Sequence, residues 1–260
     1  MSKQVAIKRY SGHQAVFCLL TVLLAMLLQV SAARAASAAP DAVARDYMVT
    51  VVEREVELLS SKTGIDAIDP RILEAMRQVP RHDFVPDEIK AYAYNSHPLP
   101  IGYGQNLAAP LLIALMTHLA ELKPDDVVFE TGTGAGYHAA VLSRLVKRIY
   151  SVEVIEPLAD QAAEMLKHRN DGNVLVHSGD GYQGWPAHAP YDAMIIKESL
   201  DHIPMPLLRQ LKPGGRLVIP LGPPDGAQDL TVIRRTADGR LTQKNIMPVR
   251  FSPMQGGERL

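Results

Sequence analysis

Cysteine is almost absent from this 260-residue sequence. Its one cysteine, Cys18, lies in an apolar segment near the amino terminus, so the rest of the chain has neither a disulfide framework nor a cysteine-ligated zinc site. The nine histidines never repeat at the H-x-x-x-H or H-E-x-x-H spacing that binds zinc on a helix. The sequence therefore predicts no metal site.

An excess of positive charge is also lacking. The chain has 27 basic and 28 acidic residues with no block of one sign, and only 5% of its residues are aromatic. A nucleic-acid-binding surface requires a cluster of basic residues, so this composition argues against such a partner. With 47% apolar residues the chain is long enough for one α/β domain with a full core.

The first 38 residues have the pattern of a secretory signal peptide. Lys3, Lys8 and Arg9 precede an apolar stretch over residues 15–28, and Ala33-Arg-Ala35 offers small residues for cleavage. This pattern predicts export, to the periplasm, of a chain without cysteine. An uncleaved anchor through residues 15–30 is the alternative, because a short apolar segment can thin or tilt in the bilayer.

A glycine-rich loop is the central motif of the remainder. An apolar run from Val127 ends in Glu130-Thr131, and glycines follow at positions 132, 134 and 136 before a helix predicted to begin near Tyr137. Glycine lacks a Cβ, so this backbone can take positive φ and approach a ligand closely. The pattern E-x-G-x-G-x-G predicts a small-molecule site, with an ordinary tight turn as the alternative.

A second acidic residue lies where such a loop requires one. The segment from Ile149 to Glu153 is typical of a strand, so Glu153 is expected at its carboxyl end. In dinucleotide-binding folds an acid about 20 residues beyond the glycine fingerprint binds the ribose. Glu153 has that spacing.

Alternating helices and strands predict the fold. Strands are expected over residues 127–131, 149–155, 173–178, 191–196 and 216–220, with helices over residues 42–60, 137–147 and 158–169. Residues 230–235 and 245–251 flank the Asp238-Gly239 turn and predict a hairpin. The expected fold is α/β: a Rossmann-like doubly wound sheet with an antiparallel edge hairpin. The predicted organisation is a signal peptide (1–38), an N-terminal helical segment (39–98) and a ligand-binding domain (99–260).

Several motifs together resemble one family, the protein-L-isoaspartate O-methyltransferases. They occur in that family's order and spacing: Val79-Pro-Arg-His-Asp-Phe-Val85, Leu99-Pro-Ile-Gly-Tyr-Gly-Gln105, Glu130-Thr-Gly-Thr-Gly-Ala-Gly-Tyr137, Ser151-Val-Glu153, Gly179-Asp-Gly181, Leu211-Lys-Pro-Gly-Gly215 and Val249-Arg-Phe251. The resemblance implies a Rossmann-like methyltransferase that uses S-adenosyl-L-methionine to methylate the free carboxylate of L-isoaspartyl residues in damaged proteins. It also implies repair of such proteins, in this case by a chain expected to act as a monomer.

The resemblance also implies a set of cofactor-binding residues, among them Asp180 on the adenine amine and Glu153 on the ribose. Asp180 has an alternative role as the residue that orders its loop through an Asx turn. The whole implied set is Glu130, Thr131, Gly132, Gly134, Gly136, Tyr137, Glu153, Val154, Asp180 and Gly181.

The implied catalytic segment departs from the family pattern. Gln105 and Asn106 are the candidate catalytic residues. In the family this box reads Gln-Thr-Ile-Ser, whereas this sequence has Asn106 in place of the Thr and Ala108 in place of the Ser. A methyl group cannot donate a hydrogen bond, so the serine's contribution is absent. Two alternatives follow: an exported cofactor-binding or interaction module that has lost isoaspartyl methylation, or a methyltransferase for another carboxylate.

A second departure follows the fourth strand, where many relatives carry small neutral residues. Here the sequence is Lys197-Glu-Ser199. Lys197 is expected to pair either with the substrate carboxylate or, in an ordinary salt bridge, with Glu198.

Overall fold

The computed structural model describes residues 41–223 and 226–256. Residues Arg45–Leu260 form one compact unit. The predicted signal peptide, its cleavage site and the alternative anchor over residues 15–30 lie outside the described residues. Within the two described ranges, no helix is both long and apolar enough to cross a membrane.

Three helices and a small hairpin precede the main sheet. Helix α1 covers residues 41–63, α2 covers Pro70–Gln78, and α3 covers Pro110–Leu119. Asp69 caps helix α2, because its side chain accepts a hydrogen bond from Arg71 N at 2.9 Å and Pro70 occupies the first turn. Between α2 and α3, strands β1 (Leu99–Gly102) and β2 (Gln105–Leu107) pair antiparallel.

A seven-stranded mixed sheet forms the centre of the fold. Its strands are β3 (Val127–Thr131), β4 (Arg148–Glu153), β5 (Val174–Ser178), β6 (Tyr191–Ile195), β7 (Leu211–Leu221), β8 (Gln228–Arg235) and β9 (Leu241–Val249). Helices α4 (Tyr137–Leu142), α5 (Glu156–His168) and α6 (Met205–Gln210) connect them. The five strands β3 to β7 are parallel, and β8 and β9 add the antiparallel edge hairpin. The predicted doubly wound fold is confirmed.

The strand order places the ligand-binding crevice. In the sheet the order is β5-β4-β3-β6-β7-β8-β9, so the chain moves outward from β3 to β5 and then returns to the other side of β3 with β6. Ligands of open α/β sheets bind at this reversal, outside the carboxyl ends of the strands. The glycine loop follows β3 at this point.

Apolar side chains fill both faces of the sheet. Consecutive residues such as Val128 and Phe129 belong to different core clusters, because successive strand residues point to opposite faces. The cluster containing Val128 also includes Met48 and Val52 of α1 and Leu115 of α3. The helical segment thus shares a core with the sheet, and no boundary between compact units lies at residue 98.

Four local features differ from the sequence-based expectations. The β1–β2 hairpin and α3 were not predicted. Helix α4 ends at Leu142, five residues before the predicted end at Lys147. Strand β7 begins at Leu211, before the strand expected over residues 216–220, and it contains a bulge where its register with β6 shifts between Tyr191 and Ala193.

Candidate active site

A cavity of about 210 Å³ lies at the carboxyl ends of β3, β4 and β6. The β1–β2 hairpin and the segment after β9 form its other walls. Residues from several parts of the chain line it, among them Gln105, Asn106 and Ala108 of the hairpin segment, Thr131 to Ala135 of the glycine loop, Glu153 and Val154 at the end of β4, Gly181 after β5, Lys197 and Glu198 after β6, and Arg250 to Gln255.

The glycine loop has the backbone that its sequence predicts. Gly132, Gly134 and Gly136 have φ values of 63°, 56° and 94°, in the region that side chains with a Cβ rarely adopt. Space is also limiting at Gly132, where an added Cβ would collide with the Glu198 carboxylate. The loop therefore admits only glycine at this position without displacing Glu198.

Glu153 is held rigidly beside the glycine loop. Its carboxylate accepts hydrogen bonds from Gly134 N at 2.8 Å and from Ile155 N at 3.0 Å, and the residue is 5% exposed. Each carboxylate oxygen has further acceptor capacity, which suits two neighbouring hydroxyl groups. This acid lies at the end of β4, as expected.

Glu130 lies beneath the loop and does not line the cavity. Its Oε1 accepts a hydrogen bond from Ser151 Oγ at 2.7 Å, and Lys197 Nζ lies 3.0 Å from its Oε2. Of the two partners expected for Lys197, Glu198 is therefore wrong, because the lysine pairs with Glu130. The reason is the strand order: β6 lies beside β3, so a side chain that follows β6 reaches the acid in β3.

His138 adds a neutral imidazole to this buried group. Thr117 Oγ1 donates to Ile113 O at 2.6 Å, so it accepts the 2.8 Å hydrogen bond from His138 Nε2. His138 Nδ1 is then unprotonated, 3.9 Å from Glu130 Oε2. Burial holds the pKa of His138 well below its ordinary value, and the nearby Lys197 cation acts in the same direction. Lys197 therefore supplies the cation that faces Glu130.

Glu198 extends from the end of β6 over the glycine loop. Thr131 Oγ1 donates a hydrogen bond to its Oε2. Burial raises the pKa of Glu198 to about 7; the Thr131 hydrogen bond opposes this rise, and the negative charge of Glu153 adds to it. The cavity thus holds a carboxyl group that titrates near neutral pH.

A buried arginine holds the backbone of the candidate catalytic box, residues Gln105 to Ala108. Arg81 Nη2 donates to Ala108 O at 2.7 Å, and Arg81 Nε donates to Ala93 O at 2.9 Å. The Arg81 guanidinium lies over the Tyr137 ring, 4.9 Å from its centroid, and the residue is 0% exposed. This side chain therefore joins the motif Val79 to Val85 to Ala108 of the candidate catalytic box and to Tyr137 of the glycine motif.

Asp180 orders the loop that follows β5. Its Oδ1 accepts a hydrogen bond from Tyr182 N at 3.0 Å, the Asx arrangement that the sequence offered as one role. The next residue, Gly181, lines the cavity, whereas Asp180 does not. A Cβ at Gly181 would approach Thr131 Cγ2 to 2.7 Å, so this glycine allows the two loops to approach closely.

The structure brings together most of the predicted site residues. Gln105, Asn106, Thr131, Gly132, Gly134, Glu153, Val154 and Gly181 line one cavity with Ala108. Glu130, Gly136, Tyr137 and Asp180 lie outside its lining. Tyr137 is fully buried and packs edge-on against Phe84. Gly136 packs against Leu166, and an added Cβ would lie 3.4 Å from it.

Sequence reasoning missed His138, Glu198 and Arg81 as parts of this site. His138 follows directly on the glycine motif, but nothing local marks it as a cavity residue. Strand order was the signal available for Glu198, because the strand that returns beside β3 brings its carboxyl-terminal residues to the crevice.

Comparison with known proteins gives a consistent result. A family model described as protein-L-isoaspartate(D-aspartate) O-methyltransferase matches residues 54–259. Protein-L-isoaspartate O-methyltransferase 2 of Syntrophobacter fumaroxidans is 46% identical over 237 residues, which are 90% of this chain and 96% of the relative. Protein-L-isoaspartate O-methyltransferase 1 of Nitrosospira multiformis is 50% identical over 186 residues, which are 72% of this chain and 79% of the relative.

Solved structures show the same fold. One described as a protein-L-isoaspartate O-methyltransferase aligns with a TM-score of 0.67 at 26% identity, over 78% of this chain and 66% of that chain. A Plasmodium falciparum protein assigned to the same activity, solved with S-adenosyl-L-homocysteine, aligns with a TM-score of 0.64 at 22% identity, over 78% of this chain and 97% of its own. With most of its length matched by the family model and by relatives of nearly equal extent, this chain belongs to the protein-L-isoaspartate O-methyltransferase family.

Proposed function

We propose that the cavity between the glycine loop and the β1–β2 hairpin is where this chain performs the reaction of its family. That reaction is S-adenosyl-L-methionine-dependent methylation of the free carboxylate of L-isoaspartyl residues, a step in the repair of damaged proteins. The observation that carries the proposal is the single cavity shared by the glycine loop, Glu153 and Gln105-Asn106. Cofactor-binding and acceptor-binding elements thus meet at one place.

The residues on the β4 side fit the adenosine part of the cofactor. Glu153 presents two fixed carboxylate oxygens to the cavity beside Gly134, the arrangement that two ribose hydroxyls require. Gly181 brings the loop after β5 to the cavity wall, and Asp180 orders that loop. We assign adenine to this loop and ribose to Glu153.

The chemistry requires little beyond positioning. When bound, the cofactor supplies an electrophilic methyl group on a sulfonium. An exposed substrate carboxylate has a pKa near 4 and is already ionised at neutral pH, so the chain needs no general base. Its residues have to orient the acceptor and exclude water. Gln105 and Asn106 are the polar residues of the hairpin that line the cavity and can serve this purpose.

The candidate catalytic box, which we call the acceptor box because it would position the methyl acceptor, is held in place through its backbone. Arg81 fixes the Ala108 carbonyl, so the position of the box is set even though Ala108 carries no hydroxyl. The amide of Asn106 can donate a hydrogen bond to a carboxylate, and it is the nearest replacement for the missing hydroxyls. We infer a positioned but weakened acceptor site.

We also propose that the protein acts after export. The support is the sequence pattern of the first 38 residues, with basic residues, an apolar stretch and small residues in order. The partners are then exported proteins or peptides that carry isoaspartate, and the protein acts on them as a monomer. Fractionation of cells that express the full chain, with the amino-terminal sequence of the product, distinguishes periplasmic release from anchoring through residues 15–30.

Two measurements on purified protein test the function. Calorimetry with S-adenosyl-L-methionine and S-adenosyl-L-homocysteine should show binding, and an isoaspartyl peptide should form a methyl ester above the uncatalysed rate. A matched peptide with ordinary aspartate at the same position is the control and should not react. Cofactor binding without any ester would favour a module that has lost its activity, and esterification of another carboxylate would identify a different substrate.

A further inference from the structure

Residues at the ends of neighbouring strands form a row along the cavity. Gly181 follows β5, Glu153 ends β4, Gly132 follows β3, and Glu198 follows β6. Adjacent strands lie about 4.8 Å apart, so three spacings span roughly 14 Å. With adenosine assigned to the Gly181 and Glu153 end, the amino-acid end of the cofactor belongs at the Glu198 end.

We propose that the Glu198 carboxylate binds the α-ammonium group of the cofactor's amino-acid moiety. This inference rests on the cofactor site proposed above and assigns the residue that recognises one end of it. Glu198 already lies against Gly132, since a Cβ there would collide with its Oε1. It is therefore at the surface along which the cofactor's amino-acid moiety has to run.

The Glu198 carboxylate has no ion-pair partner among the described residues. The Lys197 ammonium lies 3.0 Å from Glu130, and although its charge and its backbone N–H oppose the rise in the pKa of Glu198, no lysine, arginine or histidine of the described residues lies within ion-pair distance of that carboxylate. Thr131 of β3 donates a hydrogen bond to it, Glu153 of β4 contributes a second negative charge, and Arg250 lines the same cavity from the segment after β9. Two acids facing one cavity suit a ligand that carries positive charge.

Protonation of Glu198 is then linked to binding. Burial and the negative charge of Glu153 keep the pKa of this carboxyl near 7 in the free protein. An ammonium group in contact with it stabilises the ionised form, so binding lowers the pKa and releases the proton. The free energy of binding should therefore become less favourable as the pH is lowered through 7, with affinity falling up to tenfold per pH unit.

Two ligands separate the amino-acid end from the rest of the cofactor. S-adenosyl-L-homocysteine has the α-ammonium but no sulfonium charge, and 5′-methylthioadenosine has the adenosine without the amino-acid moiety. Calorimetry with each ligand at about pH 6 and about pH 7.5, in two buffers of different ionisation enthalpy, gives both affinity and protons released. The proteins are wild type, Glu198→Gln and the control Glu88→Gln. The control removes one exposed acid from the 3₁₀ helix Asp87–Tyr92.

We expect Glu198→Gln to weaken S-adenosyl-L-homocysteine binding at least tenfold at about pH 7.5 and to abolish its pH dependence and proton release. Binding of 5′-methylthioadenosine should be unchanged, which also shows that the variant is folded, and Glu88→Gln should match wild type. Equal loss for both ligands, or pH-independent binding of S-adenosyl-L-homocysteine to wild type, overturns the inference. Absence of binding of either ligand to wild type instead refutes the proposed cofactor site itself.

Discussion

Arg81 and Ala108 are joined by a 2.7 Å hydrogen bond from the guanidinium to the backbone carbonyl. The arginine is fully buried and also donates to Ala93 O at 2.9 Å. A buried cation held by two carbonyl groups and an aromatic ring fixes the relation between the loop after α2 and the acceptor box. Arg81 is thus a positioning residue that acts through the backbone of Ala108.

Replacement of Arg81 should affect the acceptor more than the cofactor. In Arg81→Lys the ammonium cannot reach both carbonyl groups at once, so one is left without its charged donor. Because a buried polar group is then left unsatisfied, we expect a loss of about 2 to 4 kcal/mol in the free energy of unfolding, measured by urea denaturation. Steady-state kinetics should show a higher KM for an isoaspartyl peptide.

The control for this change is Arg77→Lys, because Arg77 is partly exposed and pairs with the exposed Asp46. It should cost less than about 1 kcal/mol. If Arg81→Lys weakened S-adenosyl-L-homocysteine binding as strongly as it raised the peptide KM, the arginine would support the whole site and not the box alone.

Glu153 should contribute to binding of every ligand that contains the ribose. Glu153→Ala removes the carboxylate that Gly134 N and Ile155 N fix, and with it a charge-assisted hydrogen bond to the ribose. We expect binding of both S-adenosyl-L-homocysteine and 5′-methylthioadenosine to become weaker by about 1 to 3 kcal/mol, measured by calorimetry. Selective loss of only one of these ligands would contradict the ribose assignment.

Local sequence patterns were sufficient for the β3-loop-α4-β4 unit and for Glu153. Strand, glycine spacing and following strand are all encoded within about 30 residues, so no long-range contact had to be known. Helix α3 escaped prediction because its face pattern is weak: Ile113 to Thr117 are all buried, and no polar face marks the helical period. The β1–β2 hairpin escaped because its strands have four and three residues.

The polar contacts of the site depend on strand order and could not be read locally. Thr131 and Glu198 are 67 residues apart, and Lys197 meets Glu130 only because β6 lies beside β3. The sequence therefore marked Lys197-Glu198 as unusual, but it offered the substrate carboxylate or Glu198 as partners of the lysine and not Glu130. Arg81 was likewise inside a recognised motif, while its contact with Ala108 became visible only in three dimensions.

The buried Lys197–Glu130 pair should be coupled in stability. Lys197→Met leaves the Glu130 carboxylate buried with Ser151 as its remaining hydrogen-bond donor, and an unpaired buried charge costs about 3 to 5 kcal/mol. Glu130→Gln combined with Lys197→Met removes that charge and should recover much of the loss. Urea denaturation of the wild type, both single variants and the double variant measures the coupling, and strictly additive losses would show that the pair does not interact.

The raised pKa of Glu198 predicts a pH dependence of stability in the ligand-free protein. Its value of about 7 exceeds the ordinary 4.5, so the folded state binds more protons than the unfolded state between these pH values. Unfolding free energy should therefore fall as pH rises through this window, by up to about 3 kcal/mol, and should be unaffected by this group below it.

Glu198→Gln isolates this contribution. Relative to wild type, the variant should become more stable as the pH rises from about 5 to about 7.5, because only wild type loses stability through this carboxyl group. Urea denaturation at each pH measures the difference in unfolding free energy. A difference that stays constant over that range would show that Glu198 titrates at its ordinary pKa. Glu88→Gln serves again as the control, since that acid is exposed.

Restoring the hydroxyls of the acceptor box should raise isoaspartyl methylation. Asn106→Thr with Ala108→Ser places two hydroxyl groups where the family pattern has them, on a backbone that Arg81 already holds. One well-placed hydroxyl contributes about 0.5 to 1.5 kcal/mol as a neutral hydrogen bond and more toward a carboxylate, so turnover should rise roughly ten- to a hundredfold. Methyl-ester formation on an isoaspartyl peptide measures the change, and S-adenosyl-L-homocysteine affinity should stay the same because neither side chain lies at Glu153 or the glycine loop. A double variant with unchanged affinity and no gain in turnover would instead indicate that Asn106 belongs to a site built for another carboxylate.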